Sequence, residues 1–148
     1  MGVKMKKAIV YYSKTGNTTI IAKKFEGFDL LEVKALSDDP NIKNPTLVNP
    51  PKIDDYDYVI FASPVHGFQL SKIMSTYLSQ LNRLENKLID LYITHFFPFA
   101  WMGGHQTLKQ MKKIVQSKGG DVRYKFSINW SRKNKDLVIK EMLDLYHE

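Results

Sequence analysis

Ser13, Lys14, Thr15, Gly16, Asn17 and Thr18 bring three hydroxyls, one ammonium and a glycine into six consecutive positions. That mixture suits capture of an anion. Hydroxyls and main-chain N–H groups donate to oxygen, and glycine lets the backbone approach closely or take a positive φ. The flanks fit the same chemistry. Ala8 to Tyr12 is an apolar, β-branched and aromatic run expected as a buried strand, and Thr19-Ile20-Ile21-Ala22-Lys23-Lys24-Phe25 starts a helical pattern. Strand, short polar turn and helix is a geometry that aims a helix N-terminus and its free N–H groups at a phosphate. The stretch is neither a Walker A loop, lacking the leading glycine and Gly-Lys-Ser/Thr ending, nor Gly-x-Gly-x-x-Gly. The plainer alternative is a helix cap in which Asn17 or Thr18 satisfies the first turn without any ligand.

Two further loops carry unusual residues. Tyr58 to Ala62 is expected as a strand ending in the loop Ser63-Pro64-Val65-His66-Gly67-Phe68-Gln69. Leu88 to Thr94 is another, running into the aromatic loop His95-Phe96-Phe97-Pro98-Phe99-Ala100-Trp101-Met102-Gly103-Gly104. Between them Leu70, Ile73, Met74, Tyr77, Leu78 and Leu81 recur at helical spacing. Thr18, Ile21, Ala22 and Phe25 share a face of the first helix, and Asp29 to Val33 reads as an edge strand. Leu36 to Lys52 holds four of the six prolines and is expected to meander over the surface, with one helical turn near Thr46 to Val48. Leu108, Met111, Ile114 and Val115 mark a helix closed by Gly119-Gly120, Val122 to Ile128 a fifth strand, and Asn134 to Tyr146 a last helix facing inward with Val138, Met142 and Leu145.

Strands alternating with helices predict an α/β fold: a three-layer, doubly wound sandwich around a five-stranded parallel sheet of order 2-1-3-4-5. Ligands of such sheets lie beyond the carboxyl ends of the strands, where the winding reverses between the first and third. The three distinctive loops follow strands one, three and four. The expectation is one domain over residues 1–148, with residues 1–6 as a flexible tail.

Composition narrows the partners. With no cysteine there is no disulfide or Fe–S chemistry, which suits a reducing cytosol, and a cytoplasmic location is expected. No run approaches a membrane span, and the few apolar residues before Ser13 are too short for a signal-peptide core. Lys6 stands where a myristoylation motif needs Ser or Thr. The net charge of +7 favours acidic partners. The densest group, Lys109, Lys112, Lys113 and Lys118, reads as a solvated helix face, and no nucleic-acid signature accompanies it.

The string Ser-Lys-Thr-Gly-Asn-Thr after a first buried strand, joined by Ala62-Ser63-Pro64-Val65-His66-Gly67, resembles flavodoxins and their short-chain, FMN-binding relatives. The resemblance runs from Lys7 to the last helix and implies the flavodoxin-like fold. It implies that Ser13, Lys14, Thr15, Gly16, Asn17 and Thr18 hold the FMN phosphate. It implies that Pro64, Val65, His66, Gly67 and Phe68 run along one side of the isoalloxazine. Thr94 to Gly104 would wrap the other edge, with Trp101 as the ring contact (Phe96, Phe97 or Phe99 as substitutes) and Thr94, Gly103 and Gly104 contributing backbone. Aromatic stacking and the hydrogen bonding around ring atoms N1 and N5 are what a protein adds to flavin chemistry. Gly67 fits a close approach to N5.

Three features depart from the relatives. His66 stands where Tyr or Trp is common, free to stack, donate a hydrogen bond or face solvent. The third loop lacks the Gly-Asp and downstream Tyr pattern of long carriers. The chain is basic, whereas carriers are typically acidic, so reduced flavin should be held more comfortably here. The resemblance thus implies an electron-transfer flavoprotein serving redox protein partners. The alternatives are an FMN-dependent NAD(P)H or quinone oxidoreductase on the same scaffold, and a flavin-free binding module. His66, His95 and His105 lack carboxylate or cysteine co-ligands at metal spacing. The acidic residues of a response regulator and the Gly-x-Ser-x-Gly turn of a hydrolase are missing.

Overall fold

The computed structural model describes residues 5–14, 16–66, 69–96 and 104–146, with the His66 side chain excepted. In chain order the elements are β1 (Lys7–Tyr11), α1 (Asn17–Ala22), β2 (Asp29–Glu32), β3 (Lys34–Ala35), β4 (Leu47–Val48), β5 (Tyr58–His66), β6 (Gln69–Leu70), α2 (Lys72–Gln80), β7 (Leu88–His95), α3 (Gly104–Ser117), β8 (Asp121–Asn129) and α4 (Lys135–Asp144). The main sheet has the order β2-β1-β5-β7-β8 with every pair on that path parallel. Counting only those five strands, this is the order 2-1-3-4-5 expected from the alternation of elements.

Burial explains why these strands read as apolar runs: each central strand is covered on both faces. Val10, Val59, Phe61, Leu91 and Ile93 pack with Met74, Tyr77, Leu78, Met111 and Val115 of α2 and α3. Ile9, Tyr11, Ile60, Ala62 and Tyr92 pack on the opposite face with Ile21 and Ala22 of α1 and Ile139 and Met142 of α4. Ser71 caps α2, its hydroxyl accepting from the Met74 N–H at 3.2 Å. Gly119, at φ 87°, ends α3, and the Gly120 N–H returns to the Val115 carbonyl at 3.0 Å. Lys109 and Lys113 are exposed on α3, away from buried Met111 and Val115, as a solvated face requires.

Three expectations need correction. Residues 46–48 form no helical turn; Leu47–Val48 pair antiparallel with Lys34–Ala35, which lets Ala35 and Leu47 pack against the core. The third main strand does not end at Ala62. It continues to His66, because Val65 and His66 find antiparallel partners in Leu70 and Gln69. The inward residues of α4 are Ile139 and Met142, with Val138 partly packed, whereas Leu145 follows the last helical residue and stays 55% exposed.

A buried charge organises the far side of the sheet. The β7–β8 register slips between Ile89 and Leu91, so β8 carries one extra residue, a β-bulge. A bulge leaves an unpaired main-chain donor. Here the Tyr124 N–H donates to Asp90 Oδ1 at 3.0 Å. The Asp90 side chain is fully buried, and Oδ2 also accepts from Tyr58 Oη, from Tyr146 Oη at 2.6 Å and from Arg123 Nη2 at 3.4 Å. Burial, and secondly these Asp90 hydrogen bonds, hold the Tyr58 and Tyr146 hydroxyls well above the usual phenol range.

Asp90→Ala removes the shared acceptor of two phenols and a backbone N–H and the ion-pair partner of Arg123, so we expect a loss of about 3–5 kcal/mol in urea denaturation. The tyrosines set the alkaline limit. Tyr58, Tyr77, Tyr92 and Tyr146 are all raised, chiefly by burial. Above about pH 10 the unfolded chain releases phenolic protons that the folded chain keeps, so stability is full below that pH and falls as pH rises through the folded values. Unfolding midpoints measured from pH 8 to 11 should drop only past about pH 10, and Tyr92→Phe should flatten that drop.

Candidate functional site at the carboxyl ends of the strands

The chain leaves β1 toward α1 and β2 on one side, then returns past β1 to β5 on the other. The loops after β1 and β5 therefore follow strands on either side of the reversal, the place where sheets of this order form their ligand crevice. In the first loop the Gly16 N–H donates to Ser13 Oγ at 3.0 Å, closing the turn. Gly16 then takes the left-handed conformation, φ 96°, at the N-cap of α1. Among the described residues, its chain neighbours aside, a Cβ placed there would meet no atom within 4 Å. The conformation therefore disfavours a side chain although the space is open, and the α1 N-terminus has no side-chain cap. Lys14 is exposed beside it.

Thr18 is buried rather than displayed. Its hydroxyl lies 3.0 Å from that of Thr94 at the end of β7, and its carbonyl accepts from Tyr92 Oη at 2.9 Å. This pair ties the first turn of α1 to the mouth of the third loop. Pro64 pairs with Thr94 across β5 and β7, so Pro64, Val65 and the His66 backbone lie at the same edge. Behind them Ser63 Oγ bonds Ser71 Oγ at 3.0 Å, fixing β5 to the cap of α2.

The third loop opens with His95, buried, whose Nε2 is 2.8 Å from Ser127 Oγ. Phe96 is 57% exposed at the rim and Gly104 starts α3. Thr15, Gly67, Phe68, Phe97, Phe99, Trp101 and Gly103 lie outside the described residues. Beside His95 a cleft of about 210 Å³ is lined by Ser127, Asn129, Arg132, Lys135 and Val138, which puts basic side chains on this edge. His105 is exposed on α3, apart from buried His95, and among the described residues no group of His, Asp or Glu forms a metal site.

The structure thus gathers Ser13, Lys14, Gly16, Asn17, Thr18, Pro64, Val65, His66, Thr94 and Gly104 onto the carboxyl-end loops and element termini. Sequence reasoning missed the Thr18–Thr94 hydroxyl pair and the His95–Ser127 contact, each joining residues far apart in the chain. A threonine near the end of a largely apolar strand was the one local sign of the first. Such a site offers main-chain donors, hydroxyls and a basic rim to an anion.

This architecture is the flavodoxin-like fold. No family model and no curated relative matches the sequence. Among solved structures, a putative flavoprotein from Bacteroides eggerthii DSM 20697 is similar with a TM-score of 0.68 at 20% identity, over 96% of this chain and 98% of that one. A Fusobacterium nucleatum flavodoxin bound to flavin mononucleotide is similar with a TM-score of 0.63 at 16% identity, over 95% of this chain and 94% of that one. Rubredoxin oxygen:oxidoreductase from Desulfovibrio gigas is similar with a TM-score of 0.67 at 15% identity, over 94% of this chain but 34% of that one.

The hydroxyl pair makes a direct prediction. Thr18→Val leaves the buried Thr94 hydroxyl without this partner and should cost about 1–3 kcal/mol. Adding Thr94→Val should recover part of that loss, a non-additivity readable in a urea double-mutant cycle.

Proposed function

We propose that the chain is one flavodoxin-like domain that binds FMN without covalent attachment and passes electrons between redox proteins. The observation that carries this reading is Gly16: a left-handed N-cap over open space, in a Ser/Thr turn at the reversal of a 2-1-3-4-5 sheet. In this reading Ser13 to Thr18 hold the phosphate, through the Ser13, Thr15 and Thr18 hydroxyls and main-chain N–H groups. The Thr18 hydroxyl would share its bond to Thr94 or turn from it. Pro64, Val65, His66, Gly67 and Phe68 flank the ring. Thr94, Trp101, Gly103 and Gly104 close its other edge. Bound FMN would supply one- and two-electron redox chemistry, while the chain binds it, screens it from water and sets the charge around it. Lys14 and the Arg132–Lys135 rim make the surroundings positive and suit acidic partner proteins.

A second reading, an FMN-dependent NAD(P)H or quinone oxidoreductase, is favoured by the basic cleft beside His95, whose Arg132 and Lys135 would suit the phosphates of a nicotinamide dinucleotide. The similar enzyme of D. gigas, much of whose length lies outside the match, shows that this fold also occurs inside oxidoreductases.

Titrating apoprotein into FMN should quench its fluorescence with sub-micromolar affinity. Gly16→Val should weaken binding at least about tenfold, about 1.4 kcal/mol, by straining the cap. Unchanged fluorescence would leave a flavin-free binding module. Anaerobic bleaching of the bound flavin by NADPH alone would select the enzyme, and bleaching only with an added reductase the carrier.

A further inference from the structure

The opposite end of the sheet holds a second cleft, of about 530 Å³. Its position follows from register: Lys7, Tyr58 and Leu88 are successive partners in one row across β1, β5 and β7. Phe28 stands just before β2 and Arg123 near the start of β8. The row lies at the amino ends of the strands, so the five residues of β1, about 16 Å, separate it from the Ser13 loop.

The lining is of mixed chemistry. Phe28, Tyr58 and Tyr146 supply aromatic walls that meet edge to face, with ring centroids of Phe28 and Tyr58 5.5 Å apart. Leu88, 39% exposed, and Leu145, 55% exposed, leave aliphatic surface at the mouth. Two cations complete it. Lys7 Nζ stands 5.0 Å from the Phe28 ring centre and has no carboxylate within ion-pair distance among the described residues. The Arg123 guanidinium lies over the Tyr58 ring and reaches Tyr58 and Asp90 through Nη2. Among the described residues no carboxylate lines the cleft, and Asp90, fully buried, is already engaged by Arg123, two phenols and a backbone N–H.

We propose that this cleft binds a planar aromatic carboxylate, its ring held by Phe28, Tyr58 and Tyr146 and its anion by Lys7 and the outer guanidinium nitrogens of Arg123. The volume falls within the range of about 300–1,000 Å³ typical of small-molecule sites. A neutral aromatic would use the same walls but leave Lys7 unmatched and the outer nitrogens of Arg123, whose Nη2 already reaches Asp90, unused, and a small inorganic anion would leave the apolar walls wet. The chemistry therefore requires both parts in one ligand. A ligand here binds independently of anything at the Ser13 loop, so the proposal stands or falls apart from the flavin reading.

Calorimetric titration of the full chain with 2-naphthoate and with 2-naphthalenemethanol, with and without excess FMN, tests it. The acid should bind saturably, at least tenfold more tightly than the alcohol, and equally well with FMN present. Lys7→Ala and Leu145→Glu should each weaken it at least fivefold, whereas Leu137→Glu, an exposed change on α4 outside the cleft, should not. Equal affinity for acid and alcohol, no saturable binding, displacement by FMN, or indifference to Leu145→Glu would each overturn the proposal. So would binding seen only after deletion of residues 147–148, which would assign the cleft to the chain's own terminus.

Discussion

The hydrogen-bonded position of β1, with parallel neighbours on both sides, is the constraint from which the molecule's other features follow. Lys7 to Tyr11 pair with Tyr58 to Ala62 on one side, and Ala8 to Tyr11 pair with Asp29 to Glu32 on the other. A parallel pair needs a crossover, and crossovers of the usual hand put α1 on one face and α2 on the other. That arrangement buries both faces of β1 and forces its loop and the β5 loop to diverge. The crevice is therefore a product of connectivity. The side chains at its edge decide only what can occupy it.

The two ends of the sheet are built differently. At the carboxyl end the polar groups sit on turns and element termini, where main-chain donors are left over and hydroxyls tie the loops together. Thr18 with Thr94, and Ser63 with Ser71, are such ties. At the amino end one buried carboxylate, Asp90, satisfies a bulge, two phenols and an arginine. A buried charge of this kind is tolerated because each partner would be left unsatisfied without it. The resulting frame keeps Tyr58, Tyr146 and Arg123 ordered beside an open cleft, a condition for a site with specific geometry rather than a greasy surface.

Much of this was legible in the sequence. The strand order followed from alternating apolar runs and helical spacings, and α2 showed its inward face as Ile73, Met74, Tyr77 and Leu78 because one periodicity dominated it. The carboxyl-end loops stood out through residue types that a buried strand or helix interior disfavours. What stayed hidden depended on partners distant in sequence. The extension of β5 to His66 needs Gln69 and Leu70 to come back alongside it. The β3–β4 pair needs Ala35 and Leu47 to meet across a proline-rich stretch. Asp90 sits in the apolar run Leu88-Ile89-Asp90-Leu91, a local sign of a buried charge, but its partners lie on β5, β8 and beyond α4. On α4 two overlapping apolar spacings competed, and only packing against the sheet chose Ile139 over Leu145.

The central claim is that the crevice at the reversal of the sheet is a flavin site. Mapping backbone amide shifts of isotope-labelled protein during addition of FMN tests it most directly, because it reports position as well as binding. The account predicts the largest changes at Gly16, Thr18 and Thr19, at Val65 and His66, and at Thr94 to Phe96, with Tyr58, Leu88 and Arg123 almost unmoved. Changes concentrated around Lys7, Tyr58 and Arg123, or none at saturating FMN, would contradict it.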